Sequence, residues 1–134
     1  MKKLNILLVE DDRATNFINK YVIEKEDCTK HIQVSENGLE ALEFLKLGIK
    51  DSHLLPDLIL LDINMPIING WEFLEAYKKL NFDNKIIIII MLSSSVNPDD
   101  RNKAETIKEV SDFLNKPLNK SNFNRVLQEY FIKN

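Results

Sequence analysis

Two patterns of hydrophobic residues alternate along this chain. Unbroken aliphatic runs are typical of strands buried on both faces of a parallel sheet, and apolar residues that recur every three or four positions are typical of amphipathic helices. Such runs predict strands within residues 4–9, 58–61 and 86–92, and two shorter stretches predict strands at 31–34 and 113–114. A helical pattern follows each run, so the sequence predicts five repeats of strand then helix.

The helical stretches carry start and stop signals. Asp12 can cap the first helix, and Asn97 with Pro98 opens the fourth with a side-chain acceptor followed by proline. Gly48 is predicted to close the second helix, and the third is predicted to end near Asn81. The apolar positions at helical spacing are Ala14, Phe17, Ile18, Tyr21 and Val22 in the first helix, Leu39, Ala41, Leu42 and Leu45 in the second, Phe73, Leu74, Tyr77 and Leu80 in the third, Ala104, Ile107 and Val110 in the fourth, and Phe123, Val126, Leu127, Tyr130 and Phe131 in the fifth.

The alternation of strands and helices indicates an α/β protein with one doubly wound parallel sheet. Parallel strands need crossover connections, and right-handed crossovers place helices on both faces of the sheet. The length of 134 residues is that of one domain with a single core, and no linker divides it. We therefore expect one domain over residues 1–134.

Composition excludes several classes of protein. The net charge of -3 gives no basic face of the kind that nucleic acid binding needs. The longest apolar run, 86–92, is far shorter than the roughly 20 residues of a membrane span, and the N-terminus lacks the pattern of a signal peptide. A lone Cys28 cannot form an intramolecular disulfide, which fits a reducing cytosol. We expect a soluble, cytoplasmic protein that binds neither nucleic acid nor a membrane.

Charged and hydroxyl side chains follow the predicted strands at their carboxyl ends. Glu10 and Asp11 follow the first strand, and Asp62 ends the third, which is the most completely apolar segment of the chain to stop on a carboxylate. Ser93 follows the fourth strand and Lys116 the fifth. The carboxyl ends of parallel strands meet at one edge, where ligands of open α/β sheets bind. These five side chains are therefore predicted to form one site.

The chemistry of that site follows from its charges. Neighbouring carboxylates raise one another's pKa unless a cation favours their charged forms, and both Lys116 and a bound divalent metal can do so. Ligands that are all oxygens suit Mg²⁺ and make zinc improbable. An Asp carboxylate can attack phosphorus to form an aspartyl phosphate. On this hypothesis Asp62 is the nucleophile, Glu10 and Asp11 hold the metal, and Ser93 and Lys116 meet the phosphoryl oxygens.

Four motifs together resemble the receiver domain of two-component response regulators. They are LLVEDD, LILLDINMP followed by NG, MLSSS and FLNKP, in this order and each at a predicted strand end, so the resemblance spans essentially the whole chain. It implies a flavodoxin-like (βα)5 fold like that of CheY, with strand order 2-1-3-4-5. It also implies phosphorylation of Asp62 by a sensor histidine kinase or histidine phosphotransfer protein. The chain is expected to be a stand-alone single receiver domain with no output domain, which signals to a downstream protein by contact; a homodimer stays open.

The resemblance also assigns roles to individual residues. It implies that Asp11, Asp62 and the backbone carbonyl of Asn64 hold Mg²⁺, with Glu10 acting through water. It implies that Ser93 and Phe113 form a switch pair, in which the hydroxyl moves toward the phosphoryl group as the ring turns inward. A cis bond between Lys116 and Pro117 would aim the lysine at the site.

The sequence departs from the commoner family pattern at a few positions. Glu10 stands where Asp is commoner, Ser93 replaces Thr, and Phe113 lacks the hydroxyl of Tyr; each retains the group that the chemistry needs. The connection over residues 48–56 is longer than usual.

Two other hypotheses belong to different classes of protein. One is a Mg²⁺-dependent phosphatase with an Asp nucleophile, but haloacid dehalogenase-like phosphatases carry a second Asp where this chain has Asn64. The other is a receiver-like scaffold that never takes up phosphate, although every charged group for the chemistry is present. A regulatory phosphoacceptor, rather than an enzyme acting on other molecules, is the preferred hypothesis.

Overall fold

A computed structural model describes residues 2–132 of the chain, so residues 1, 133 and 134 of the predicted domain lie outside the described part. The strands are β1 (Leu4–Val9), β2 (Thr29–Ser35), β3 (Leu58–Asp62), β4 (Ile88–Ser93) and β5 (Asp112–Asn115). The helices are α1 (Arg13–Lys25), α2 (Gly38–Lys50), α3 (Gly70–Tyr77), α4 (Pro98–Glu105) and α5 (Lys120–Tyr130), with a short 3₁₀ helix at Ser52–Leu54. None of the helices in this part of the chain is long and apolar enough to cross a membrane.

All five strands form one parallel sheet with the order β2-β1-β3-β4-β5. The central strands are buried because their aliphatic residues have apolar neighbours above and below the sheet; β3 is buried at every position. The predicted fold class and strand order are confirmed. The order places the topological switch point between β1 and β3, where side chains that follow these two strands meet.

Successive side chains of each strand point to opposite faces of the sheet and pack into two separate apolar cores. Leu7 and Ile59 pack on one side with residues of α2, α3 and α4, whereas Leu8 and Leu60 pack on the other side with residues of α1 and α5. The sheet is therefore held rigidly from both faces, which fixes the positions of the side chains at its carboxyl edge.

Helix α1 differs from its prediction, because most of its apolar residues do not face the core. Phe17 is 73% exposed and Tyr21 58% exposed, while the buried positions are Asn16, Asn19 and Ile23. Both sets follow a helical spacing, so periodicity alone could not identify the inward face. The first helix thus presents an apolar strip to the surface.

Several predicted boundaries are also corrected. Gly48 does not close α2 but is buried within it, where a Cβ atom would lie 2.7 Å from Leu55 Cδ2. Helix α3 ends at Tyr77 rather than near Asn81, and α4 ends at Glu105, before Ile107 and Val110. The fourth strand begins at Ile88 rather than Ile86, whose side chain is 80% exposed.

Candidate functional site

The carboxyl edge of the sheet brings the predicted acidic residues together. Glu10 and Asp11 follow β1, and Asp62 is the last residue of the neighbouring strand β3. Each of the three offers a carboxylate oxygen within 4.8 Å of the others. Glu10 and Asp62 are buried, whereas Asp11 is exposed, so the cluster opens to solvent on one side. Oxygen atoms in this arrangement suit a hard divalent cation such as Mg²⁺.

Lys116 brings a positive charge into this cluster. Its Nζ donates to Glu10 Oε1 at 2.6 Å and lies 3.1 Å from Asp62 Oδ1. The Lys116 backbone N–H donates to the carbonyl oxygen of Ser93 at 2.8 Å, which anchors the end of β5 to the end of β4. The Lys116–Pro117 peptide bond is cis. One ammonium group therefore contacts two of the three carboxylates directly.

Burial and mutual repulsion shift the protonation of this group of charges. Burial raises the pKa of Glu10 to about 7, helped by the charge of Asp62 and opposed by the hydrogen bond from Lys116. Burial alone would lower the pKa of Lys116, but its hydrogen bond to Glu10 and the charge of Asp62 raise it overall. Lys116 therefore stays charged at neutral pH. The carboxyl group of Glu10 is close to half ionised at that pH, and a further cation nearby would favour its charged form.

A local network fixes the turn that carries Glu10 and Asp11. Asp12 caps α1, as predicted, by accepting hydrogen bonds from the backbone N–H and the hydroxyl of Thr15. Asn16 is buried, and its Nδ2 donates to the Glu10 carbonyl oxygen at 2.9 Å. Asn16 was not among the residues that the sequence predicted for the site. The sequence does contain a signal for it, because Asn16, Asn19 and Ile23 also recur at helical spacing and form the buried face of α1.

The loop after Asp62 is tightly folded. The Gly70 N–H donates to the Ile63 carbonyl oxygen at 2.7 Å, and a Cβ atom at Gly70 would lie only 2.6 Å from the Asp62 carbonyl oxygen. Ile67 has a φ of 69°, a conformation that is strained for a β-branched residue. The side chain of Asn64 is exposed in this loop. Glycine is thus required where α3 begins, because the loop passes directly behind Asp62.

The predicted switch residues lie on the two neighbouring strands. Ser93 is buried at the end of β4, and its Oγ accepts the Ser95 N–H at 2.9 Å. Phe113 is 5% exposed. In the β4–β5 pairing it lies opposite Met91, two residues before the ends of these strands at the carboxyl edge of the sheet. The Arg101 guanidinium of α4 lies 4.9 Å from the centroid of that ring. No sequence signal marked Arg101.

The structure therefore brings the predicted residues together to different degrees. Lys116 contacts Glu10 and Asp62 directly, and Asp11 offers a carboxylate oxygen within 4.8 Å of theirs. Ser93 joins it through the backbone hydrogen bond to Lys116, while Phe113 lies behind the site. This arrangement can concentrate a divalent cation and an anionic group beside the buried oxygen atoms of Asp62.

Comparisons with known proteins give a consistent answer. A family model described as the response regulator receiver domain matches residues 6–128. The chain is 31% identical over 124 residues to the probable methanogenesis regulatory protein FilR2 of Methanothrix harundinacea, covering 92% of this chain and 79% of FilR2.

Two solved structures have the same fold. A two-component response regulator from Cytophaga hutchinsonii superimposes with a TM-score of 0.87 at 33% identity, covering 96% of this chain and 98% of that chain. The Mn(2+)-bound form of response regulator Rcp1 superimposes with a TM-score of 0.70 at 31% identity, covering 93% of this chain and 89% of that chain.

Proposed function

The chain belongs to the response regulator receiver domain family of two-component systems, and on that premise we propose that it is a phosphorylatable switch with Asp62 as phosphoacceptor. Receiver domains are regulatory, CheY-like modules. The observation that carries the proposal is the contact of Lys116 with the buried carboxylates of Glu10 and Asp62. An ammonium group held there can neutralise a phosphoryl oxygen as well as a carboxylate.

The acidic cluster supports a role for Mg²⁺, which receiver domains typically bind. Asp11, Asp62 and the backbone carbonyl of Asn64 would hold the ion, with Glu10 acting through water. The bound ion would neutralise negative charge on the transferred group. The donor set consists of oxygens, as Mg²⁺ and Mn²⁺ prefer, and the related Rcp1 was solved in a Mn(2+)-bound form.

The proposed reaction is transfer of a phosphoryl group from a phosphohistidine. An oxygen of Asp62 forms the new P–O bond while the P–N bond of the donor breaks, and the departing imidazole takes up a proton. Lys116 and the hydroxyl of Ser93 bind the phosphoryl oxygens. The β3 strand, buried on both faces, holds the nucleophile in place, so the protein contributes positioning and charge neutralisation.

The proposed partners follow from this reaction. The donor is a sensor histidine kinase or a histidine phosphotransfer protein in the cytoplasm, and the phosphorylated state is read by a downstream protein. Ser93 and Phe113 are the proposed switch pair that transmits the state of Asp62.

Stoichiometric phosphorylation tests the proposal. The protein is incubated with acetyl phosphate and Mg²⁺ and then weighed by intact mass spectrometry, together with Asp62→Asn and the control Asp12→Asn, which retains a capping side chain. We expect one added phosphoryl group in the parent and in the control, and none in Asp62→Asn or with EDTA. Hydrolysis of many small phosphate esters would instead favour the phosphatase hypothesis. A parent that stays unmodified with every phosphoryl donor would reject both hypotheses.

A further inference from the structure

The Arg101 side chain of α4 lies across the outer face of the Phe113 ring. Its guanidinium carbon is 4.9 Å from the ring centroid, and Nη2 donates to Asn115 Oδ1 at 3.4 Å. Within residues 2–132 no carboxylate forms an ion pair with Arg101. Its charge is therefore directed at an aromatic face and a side-chain amide on β5.

Asn115 connects this contact to the proposed phosphorylation site. Its Nδ2 donates to the Ser95 carbonyl oxygen at 3.0 Å, and the Ser95 N–H donates to Ser93 Oγ at 2.9 Å. Ser93 is the residue proposed to bind the phosphoryl group. A continuous series of polar contacts thus runs from the hydroxyl of Ser93 through the β4–α4 loop to the side chain on α4.

Two clefts lie beside the Arg101 side chain and the Phe113 ring. A cleft of about 370 Å³ lies on the side of Asn115 and Lys116, and one of about 250 Å³ lies on the side of Ala104 and Asp112. Both clefts are lined by Arg101 and Phe113. Movement of this one side chain would reshape both clefts and uncover the face of the Phe113 ring that the guanidinium lies against.

Helix α4 has few other attachments. Ala104 is its only buried residue, and its remaining aromatic contact is Lys103 Nζ, 4.5 Å from the centroid of the Trp71 ring. A helix that buries so little apolar surface depends more than its neighbours on contacts made by its cationic side chains. The Arg101 contact can therefore influence where α4 sits.

We propose that Arg101 is a latch that holds Phe113 inward and ties α4 to Ser93 through Asn115 and the β4–α4 loop. The proposal rests on the proposed function, because the latch matters only if Ser93 responds to a group on Asp62. Arg101 is a positioning residue, since it acts on the site through other residues. Binding of a phosphoryl group and closure of the latch stabilise each other, so loss of either weakens the other.

Beryllofluoride with Mg²⁺ is the probe, and ¹⁹F NMR measures its affinity without relying on the tryptophan next to α4. We expect Arg101→Ala to weaken binding about two- to fivefold, the effect of an exposed cation–aromatic contact. Arg101→Lys should restore part of the loss. The neighbouring substitution Asn102→Ala removes an exposed side chain of α4 that lies outside the series of contacts, and it should leave binding unchanged.

Double-mutant cycles separate a latch from a simple loss of positive charge. In a Phe113→Leu background, Arg101→Ala should weaken binding less than it does in the parent, because only the link through Asn115 remains. Arg101→Ala combined with Asn115→Ala should weaken binding by less than the product of the two single fold-changes. Equal affinity of Arg101→Ala and the parent would overturn the latch, as would an undiminished loss in the Phe113→Leu background. A parent that does not bind beryllofluoride at all would reject the proposed function itself, and the latch with it.

Discussion

Glu10 has a raised pKa, because it is buried next to Asp62 with Lys116 as its partner. Its pKa of about 7 lies above the ordinary 4.5, so between these pH values the folded protein holds a proton that the unfolded chain releases. Without Mg²⁺ the stability of the parent should therefore fall as pH rises from about 4.5 to 7.

Glu10→Gln tests this dependence, because glutamine has nearly the same shape and does not ionise. In EDTA we expect the variant to match the parent at pH 5 and to be more stable at pH 8, by on the order of 1–3 kcal/mol. Urea unfolding followed by circular dichroism measures the difference. Saturating Mg²⁺ should remove the advantage at pH 8. A difference between the two proteins that does not vary with pH would show that the shift is not due to Glu10.

Lys116 should transmit phosphorylation rather than merely stabilise the fold. We expect the parent to change its Trp71 fluorescence when it binds beryllofluoride with Mg²⁺, and Lys116→Ala to fold and to bind the probe without that change. Coupling of this kind is commonly worth about 1–3 kcal/mol. Lys3→Ala removes another lysine that contacts a carboxylate, at an exposed site paired with Asp27, and serves as the control. An unchanged fluorescence response in Lys116→Ala would contradict the role of the lysine.

At the scale of elements, glycine decides how closely the loops and helices can approach. At Gly70 a Cβ atom would meet the Asp62 backbone, whereas at Gly48 it would meet the end of the flexible Leu55 side chain. We expect Gly70→Ala to destabilise the protein by about 2–4 kcal/mol and to slow phosphorylation by acetyl phosphate, since the backbone behind the nucleophile must move.

Gly48→Ala is the matched control, because Leu55 can rotate away and the phosphorylation site is remote. We expect its destabilisation to be clearly smaller, below about 1.5 kcal/mol, with an unchanged phosphorylation rate. Thermal unfolding and intact-mass time courses measure both quantities. If both variants lost stability equally while phosphorylation stayed normal, the close approach at Gly70 would not be what positions Asp62.

The elements also show what sequence patterns can and cannot determine. The buried strands and the cap at Asp12 follow from local chemistry, and both were predicted correctly. The prediction of which face of α1 points inward was wrong. The buried side-chain amide of Asn16 binds the backbone of the turn at Glu10, and Phe17 faces solvent. Which face of α1 is buried depends on a contact with another element, and the spacing of hydrophobic residues carries no information about such contacts. The Arg101 contact with Phe113 escaped prediction for the same reason.

At the scale of the whole molecule, the two edges of the sheet have different tasks. The carboxyl edge brings together Glu10, Asp62 and Lys116. At the amino edge Asp57 accepts the Asn5 N–H and pairs with Lys85, which links β1 to the segments that precede β3 and β4. Convergence of the strand ends was predictable, because parallel topology brings every carboxyl end to one edge. The order of the strands came from the family resemblance, since the pattern of repeats alone allows several orders.

A protein that donates a phosphoryl group must cover the surface around Asp62, and α1 begins directly beside the acidic cluster. Its exposed apolar residues Phe17, Ile18 and Tyr21 form a strip of the kind that a partner buries. We therefore expect Phe17→Ser to reduce phosphotransfer from a protein donor by about tenfold or more, because apolar side chains at the centre of an interface dominate its affinity.

Acetyl phosphate is too small to need this surface, so its reaction with Phe17→Ser should proceed at the parent rate. The donor for the comparison is a purified histidine kinase selected by its phosphotransfer to the parent. Ile86→Ser removes an equally exposed apolar side chain just before β4, at the amino edge away from the site, and should leave both reactions unchanged. If Phe17→Ser slowed both donors alike, the substitution would have damaged the site itself. If it slowed neither, the donor would dock elsewhere, and the exposure of Phe17 would need another explanation.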